Sequence, residues 1–154
     1  MKKYSYIPEG YNAVMPALAF KGADAAIRWY INVLGAKEKM RLDGPGKTIA
    51  HAEITIGDST VYLADENLQY NKSPKTLNGN SVNLCVYVED VDAVIYKAVE
   101  NGATLIMPAA DQFYGDRSGR FEDPFGYIWV VSTHVRDVSE EEMQKKMKEM
   151  AAQN

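Results

Sequence analysis

The chain has 154 residues, of which 46% are hydrophobic and 25% charged, and its 17 basic and 21 acidic residues give a formal net charge of −4. This composition is typical of a globular protein with one well-buried core, and the sequence has no basic run of the kind that binds nucleic acid. It also lacks an apolar run near the ~20 residues of a membrane span, a secretory segment after Lys2 and Lys3, and a second cysteine to pair with Cys85. We therefore expect a cytoplasmic protein without nucleic-acid or membrane partners.

The first half of the chain has the pattern of a βαβββ unit, which we predict over residues 11–65. An alternating run at Ala13–Phe20 predicts a strand, and apolar residues at helical spacing over Ala23–Leu34 predict a helix that ends at Gly35. Three further strands are predicted, over Ala36–Leu42, Thr48–Ile56 and Ser59–Ala64. The last two form a hairpin that turns at Gly57–Asp58.

A polar linker over residues 66–80 separates this unit from a second copy of the same plan, predicted over residues 81–134. Ser81–Val88 predicts its first strand, and Asp90 and Gly102 mark the two ends of its helix. Its remaining strands are predicted over Thr104–Pro108, Arg117–Glu122 and Tyr127–Thr133. Because one copy is too small to bury its own sheet, the repeat predicts a single α+β domain over residues 1–154, in which two curved mixed sheets enclose a cleft.

A separate C-terminal helix is predicted over residues 139–152. Ser139 and Glu142 have capping-box spacing, and Met143, Met147 and Met150 share one helical face. We expect this Met-rich face to dock on the domain or on a second subunit rather than to bind a ligand.

Several segments resemble the vicinal oxygen chelate superfamily, which includes glyoxalases, bleomycin-resistance proteins and extradiol dioxygenases. The segments that carry the general resemblance are Leu18–Phe20, Ala26–Tyr30 and Leu34–Ala36. Those similar to its PhnB-like branch are His51–Ile54, Gly115–Arg117 and Asp123–Trp129. The resemblance covers nearly the whole chain and implies the fold just described and a homodimer. It does not choose among the lyases, isomerases, dioxygenases and non-catalytic drug binders of the superfamily.

The resemblance also implies where a metal would bind, because metal-dependent members place a carboxylate or imidazole on the first and last strand of each module. Carried onto this sequence, these positions fall on Met15, on Val61 or Tyr62, on Asn83 and on Val130. None of these residues supplies the carboxylate or imidazole that divalent ions prefer. We therefore predict no metal site and no cofactor.

A different polar pair, His51 and Glu53, alternates on one predicted strand with Ala52 and Ile54. We expect the apolar pair to pack against the helix and the polar pair to point the other way. His51 is then a candidate general acid or base, and Glu53 is the group that sets its tautomer. A solvated strand face or a surface ion pair would explain the same pattern.

The second unit offers a matching pair. Counted back from Gly126, Arg120 and Glu122 lie where His51 and Glu53 lie relative to Gly57. Arg120, together with Arg117, is a candidate for binding an anionic group by charge-assisted hydrogen bonds.

The other candidate ligand contacts are mostly aromatic. They are Tyr62, Asn83, Tyr87, Phe113, Tyr114 and Trp129. A cleft lined by rings and a few polar groups suits a planar or apolar small molecule. The alternative is that these rings fill the core or a subunit interface.

These features together predict a metal-independent protein that binds an apolar or aromatic metabolite or drug. One alternative is a glyoxalase-like lyase or isomerase that uses His51 and Glu53 with a divalent metal ion. A second is a protein-interaction module whose cleft is vestigial. The sequence leaves open whether the protein is an enzyme.

Overall fold

The structure, a computed structural model, describes residues 4–152, so Lys2 and Lys3 lie outside the described residues. The chain divides into two compact units between Asn80 and Ser81, at the end of the predicted linker. Each unit has the order strand, helix and three strands, and each contains a four-stranded mixed sheet. The predicted α+β repeat is therefore confirmed.

The first unit comprises β1 (Ala17–Phe20), α1 (Ala23–Leu34), β2 (Lys37–Asp43), β3 (Ile49–Ile56), β4 (Ser59–Asp65) and the short helix α2 (Pro74–Leu77). Its sheet has the order β1-β4-β3-β2, with β1 parallel to β4 and the other pairs antiparallel. The helix α1 ends at Gly35 in the left-handed conformation that glycine adopts at low cost, as predicted. It buries Ile27 and Tyr30, and the Tyr30 ring meets Phe20 of β1 edge to face at 6.0 Å. The helix α2 lies in the segment predicted as a polar linker.

The second unit comprises β5 (Asn83–Tyr87), α3 (Val91–Glu100), β6 (Thr104–Asp111), β7 (Asp116–Glu122), β8 (Ile128–His134) and α4 (Glu140–Ala151). Its sheet has the corresponding order β5-β8-β7-β6. Asp90 caps α3, because its side chain accepts a hydrogen bond of 3.0 Å from the Ala93 amide, as predicted. The strand β6 continues to Asp111, beyond the predicted end at Pro108, and β8 continues to His134.

The C-terminal helix α4 begins after Ser139, whose hydroxyl accepts a hydrogen bond of 3.2 Å from the Glu142 amide, so the predicted cap is confirmed. No described residue of α4 is buried. Both α1 and α4 have 12 residues, and between residues 4 and 152 no helix combines the length and apolar character needed to cross a membrane.

The strand alternation separates two faces of each sheet. In the first unit the face toward α1 carries buried apolar side chains such as Ala52, Ile54 and Leu63, as the alternation of β3 predicts. We call the opposite faces the first and second polar faces. The polar residues of the first are His51, Glu53, Thr55, Thr60 and Tyr62, and those of the second are Asn83, Tyr87, Asp116, Ser118, Arg120, Glu122, Ser132 and His134.

Residues of the two polar faces can be matched between the units, and the match differs from the predicted one. Asp65 and Thr133 are equivalent, since each accepts a hydrogen bond from the amino end of its unit's helix. Three residues before them, Tyr62 pairs with Glu53 and Val130 pairs with Arg120. Arg120 therefore matches Glu53, not His51. The prediction was wrong by two residues because the first hairpin turns over residues 57–58 and the second over residues 123–127.

Candidate functional site

Three of the predicted site residues meet on the first polar face. His51 and Glu53 point the same way from β3, and His51 Nε2 lies 3.1 Å from Glu53 Oε1. Tyr62, the cross-strand partner of Glu53 on β4, sets its ring edge to face against the imidazole with centroids 4.9 Å apart. The Glu53 side chain is only 6% exposed, whereas that of His51 is 35% exposed. The buried carboxylate thus lies under a partly open imidazole.

Two further residues hold Glu53, and the sequence did not indicate either. The Tyr11 hydroxyl donates a hydrogen bond of 2.6 Å to Glu53 Oε2, and Lys39 Nζ lies 3.9 Å from the same oxygen. The ammonium of Lys39 also lies 3.3 Å from the centroid of the Tyr11 ring, which is a cation–π contact. Tyr11 precedes β1, and Lys39 lies at a register shift of β2, so no strand alternation could have placed them here.

These contacts decide the protonation of the carboxyl group. Burial raises the pKa of Glu53, but hydrogen bonds from Tyr11 and His51 and the charge of Lys39 outweigh burial and lower this pKa below its ordinary 4.5. Burial and the Glu53 charge raise the pKa of Tyr62 above its ordinary 10.0. At neutral pH the first polar face therefore combines an ionised, acceptor-only carboxylate with a neutral phenol.

A second cluster lies on the second polar face around Asp116. This buried carboxylate accepts a hydrogen bond of 2.8 Å from the Tyr87 hydroxyl and lies 2.9 Å from His134 Nδ1. His134 Nε2 lies 3.1 Å from Asp137. The last strand is predicted to end at Thr133, but β8 continues to His134. Asp116 was not among the predicted site residues.

The charges of this cluster shift three pKa values. Hydrogen bonds to Asp116 and Asp137 raise the pKa of His134 above its ordinary 6.5. Burial raises the pKa of Asp116, but the bonds from His134 and Tyr87 outweigh it and lower this pKa. The same bond to Asp116 raises the pKa of Tyr87. The phenol of Tyr87 is therefore neutral at physiological pH, and the histidine is disposed to carry a proton.

The two predicted arginines lie on opposite faces of β7. Arg120 lies on the second polar face, is exposed, and pairs across the sheet with Met107 and Val130. Arg117 points toward α3, where its Nε and Nη2 donate hydrogen bonds of 2.7 and 2.8 Å to Asp92, and it also bonds Asp111. The expectation that both arginines hold one anion therefore does not match the structure. Glu122 and Asn83 do lie on the same face as Arg120.

The remaining aromatic candidates are not among the residues that define the polar faces. Trp129 is 3% exposed on the helix side of β8, and its indole donates a hydrogen bond of 2.9 Å to Asp123, so it is a core residue. Phe113 and Tyr114 follow β6 and stack edge to face at 5.3 Å. Together with residues of α4 they line an open groove of about 590 Å³. Met143 and Met147 of the Met-rich face line this groove, but no described residue of α4 is buried, so the docking of this face stays a prediction.

The positions that the family resemblance implies for a metal do not form a ligand set. Met15 precedes β1, Asn83 begins β5, Val61 is buried on the helix side of β4, and Tyr62 and Val130 lie on the polar faces. Thioether, amide, phenol and alkyl groups are poor partners for the divalent ions concerned. Over the described range 4–152, no three His, Cys, Asp or Glu side chains are grouped so that they could hold an ion. The residues present therefore do not fit the metal.

Comparison with known proteins places the chain among relatives of the same fold. The profile of the glyoxalase/bleomycin resistance protein/dioxygenase superfamily matches residues 12–131. An uncharacterized protein of Mycobacterium bovis is 36% identical over 139 residues, which are 88% of this chain and 91% of that protein. TioX from Micromonospora sp. ML1 is 26% identical with a TM-score of 0.62, over 80% of this chain and all of that chain. A PhnB protein from Bacillus cereus is 20% identical with a TM-score of 0.61, over 79% and 99%, and supports the fold alone.

Proposed function

This chain belongs to the glyoxalase/bleomycin resistance protein/dioxygenase superfamily, and we propose that within it the protein binds a small apolar or aromatic molecule without a metal ion. The observation that carries the proposal is the donor set at the family's metal positions, where Met15, Asn83 and Val130 replace carboxylate or imidazole groups. Recognition must then come from shape, ring contacts and a few hydrogen bonds.

The first polar face supplies those contacts. The rings of Tyr62 and His51 are both partly exposed and lie edge to face. An aromatic ligand gains by stacking or edge contact with such a pair, typically about 0.5–1.5 kcal/mol per pair beyond burial of its area. The nearly buried Glu53 holds the imidazole in place. Tyr11 and Lys39 compensate the negative charge of the Glu53 carboxylate. Few polar groups therefore remain to be desolvated by an apolar ligand.

Calorimetry and native mass spectrometry against a panel of aromatic compounds test this proposal, with the protein assayed before and after treatment with a chelator. We expect binding that the chelator does not change and that Tyr62→Ala weakens about tenfold, the equivalent of 1.4 kcal/mol. Tyr96→Ala is the matched control, because Tyr96 is an exposed tyrosine of α3. Binding that requires added metal, or equal effects of the two substitutions, would overturn the proposal.

A second candidate function, a lyase or isomerase, is favoured by the 3.1 Å contact between His51 and Glu53. A carboxylate that orients an imidazole is a common arrangement for general acid–base catalysis. Elemental analysis of protein purified without a chelator discriminates between the candidates. A stoichiometric metal that is lost in His51→Ala would support the enzyme and refute metal-independent binding.

We also propose a homodimer, which the family resemblance implies. Sedimentation equilibrium across a wide range of protein concentrations measures the assembly directly. A single species with the mass of one chain, 17.2 kDa, would refute it.

A further inference from the structure

The imidazole of His51 has one nitrogen occupied and one without a partner. Nε2 lies 3.1 Å from Glu53 Oε1, whereas Nδ1 makes no hydrogen bond within residues 4–152. The ring is carried on β3, on the face opposite α1, and about a third of the side chain is exposed. Part of this side chain is therefore open to a ligand on the first polar face.

The surroundings of Glu53 decide which nitrogen carries the proton. Among the described residues, the other two polar partners of its carboxylate are a donor and a cation: Tyr11 donates to Oε2 at 2.6 Å, and Lys39 lies 3.9 Å from the same oxygen. An ionised carboxylate has no hydrogen to donate, so the contact with His51 requires a hydrogen on Nε2. In the neutral imidazole the other nitrogen then holds only a lone pair.

We infer that His51 Nδ1 is a preset hydrogen-bond acceptor, and that the molecule bound on the first polar face is an aromatic compound that carries a hydroxyl donor, such as a phenol or naphthol. This inference rests on the proposed binding function and specifies its ligand class. The ring of such a compound suits the neighbouring Tyr62, and its hydroxyl suits Nδ1. Glu53 acts through His51 and is a positioning residue, as Tyr11 is in turn for Glu53.

The substitution Glu53→Gln should reverse the tautomer with little change of shape. Tyr11 and Lys39 both face the Oε2 position, so the amide oxygen of glutamine takes that place and accepts from them. Its NH₂ group then faces His51 and donates to Nε2. The hydrogen of the neutral imidazole moves to Nδ1, which becomes a donor and no longer suits a hydroxyl donor of a ligand.

Heteronuclear NMR of the imidazole nitrogens reads the tautomer directly, because the chain has only two histidines, His51 and His134. At mildly alkaline pH we expect the wild-type His51 to carry its hydrogen on Nε2 and Glu53→Gln to carry it on Nδ1. His51→Phe identifies the His51 signals by their loss, and His134 serves as the internal reference. Glu9→Gln is the control for the loss of a negative charge at an exposed position.

Calorimetry with naphthol and with its methyl ether then tests the ligand class, since the two probes have the same rings and only naphthol has a hydroxyl donor. We expect the wild type and Glu9→Gln to bind naphthol about five- to tenfold more tightly than the ether, which corresponds to the net contribution of one hydrogen bond. In Glu53→Gln and His51→Phe this preference should fall to about one. His51→Phe keeps an aromatic ring and so covers the case in which Glu53→Gln fails to fold.

The possible failures are distinguishable. Equal wild-type affinities for naphthol and its ether, or a wild-type His51 with its hydrogen on Nδ1, would overturn the acceptor role while leaving metal-independent binding in place. Absence of binding by both probes would count against the proposed function and the inference together.

Discussion

Removal of the Tyr11 hydroxyl should destabilise the protein, because this hydroxyl donates a 2.6 Å hydrogen bond to a carboxylate that is 6% exposed. Hydrogen bonds to charged groups contribute about 1.5–3 kcal/mol to stability. In Tyr11→Phe the carboxylate of Glu53 still faces His51 and Lys39 and is not left without partners. We therefore expect a loss at the lower end of this range, about 1.5–2 kcal/mol. The aromatic ring and its contact with the Lys39 ammonium remain.

Urea unfolding followed by circular dichroism measures this loss. The slope of the unfolding free energy against urea concentration should not change, which would indicate that the folded and unfolded states are otherwise the same. Tyr6→Phe is the control, because Tyr6 is 94% exposed and its change should stay within about 0.5 kcal/mol. Equal stabilities of the two variants would refute the reasoning.

Urea unfolding repeated at acidic pH gives a second test. The lowered pKa of Glu53 contributes stability that is present above its ordinary value of 4.5 and is lost as the pH falls through the folded-state value. Tyr11→Phe removes one cause of the lowering, so the acid-induced loss of stability should be smaller and should be complete at a higher pH than in the wild type. If the wild type and Tyr11→Phe lose the same stability over the same acidic pH range, the Tyr11 hydrogen bond leaves the Glu53 pKa unchanged.

Three further outcomes are expected. Asp123→Ala removes the acceptor of three hydrogen bonds in the second hairpin and should lower the free energy of urea unfolding by about 4 kcal/mol. The control Asp58→Ala in the first hairpin should lower it by no more than about 0.5 kcal/mol. Similar losses in the two variants would contradict this prediction. The raised pKa of His134 contributes stability that is fully present below pH 6.5 and is lost as the pH rises through the folded-state value. The urea midpoint of the wild type should therefore fall as the pH rises through this range, and that of His134→Gln should not. Gly119→Ala places a Cβ against Ile95 of α3 and should cost about 1–3 kcal/mol in thermal unfolding, and an unchanged melting temperature would argue against this close packing.

Much of the fold follows from local patterns. Helical spacing located α1, and Asp90 marked the beginning of α3 correctly, because caps and periodicity depend on residues a few positions apart. The same holds for the part of the site that lies on one strand. The alternation of His51 and Glu53 with buried apolar residues placed both side chains on the face opposite α1.

The predictions that did not match the structure concern contacts between distant segments. Arg117 alternates with Gly119 and Phe121 and therefore points toward α3, where Asp92 neutralises it, although its charge suggested an exposed binding role. Trp129 lies in the core for a comparable reason, because Asp123 satisfies its indole N–H in the buried hairpin.

The amino-acid order alone was enough to determine the two βαβββ units and the faces of β3, since these depend on residue spacing and on the burial of apolar side chains. Tertiary structure decided the partners of each polar group. Tyr11, Lys39 and Glu53 meet only after a segment before β1 and the edge strand β2 come together around β3, at separations that no local period encodes. The charge state of Glu53, and through it the tautomer of His51, is set by that convergence, because protonation depends on neighbours in space rather than in sequence.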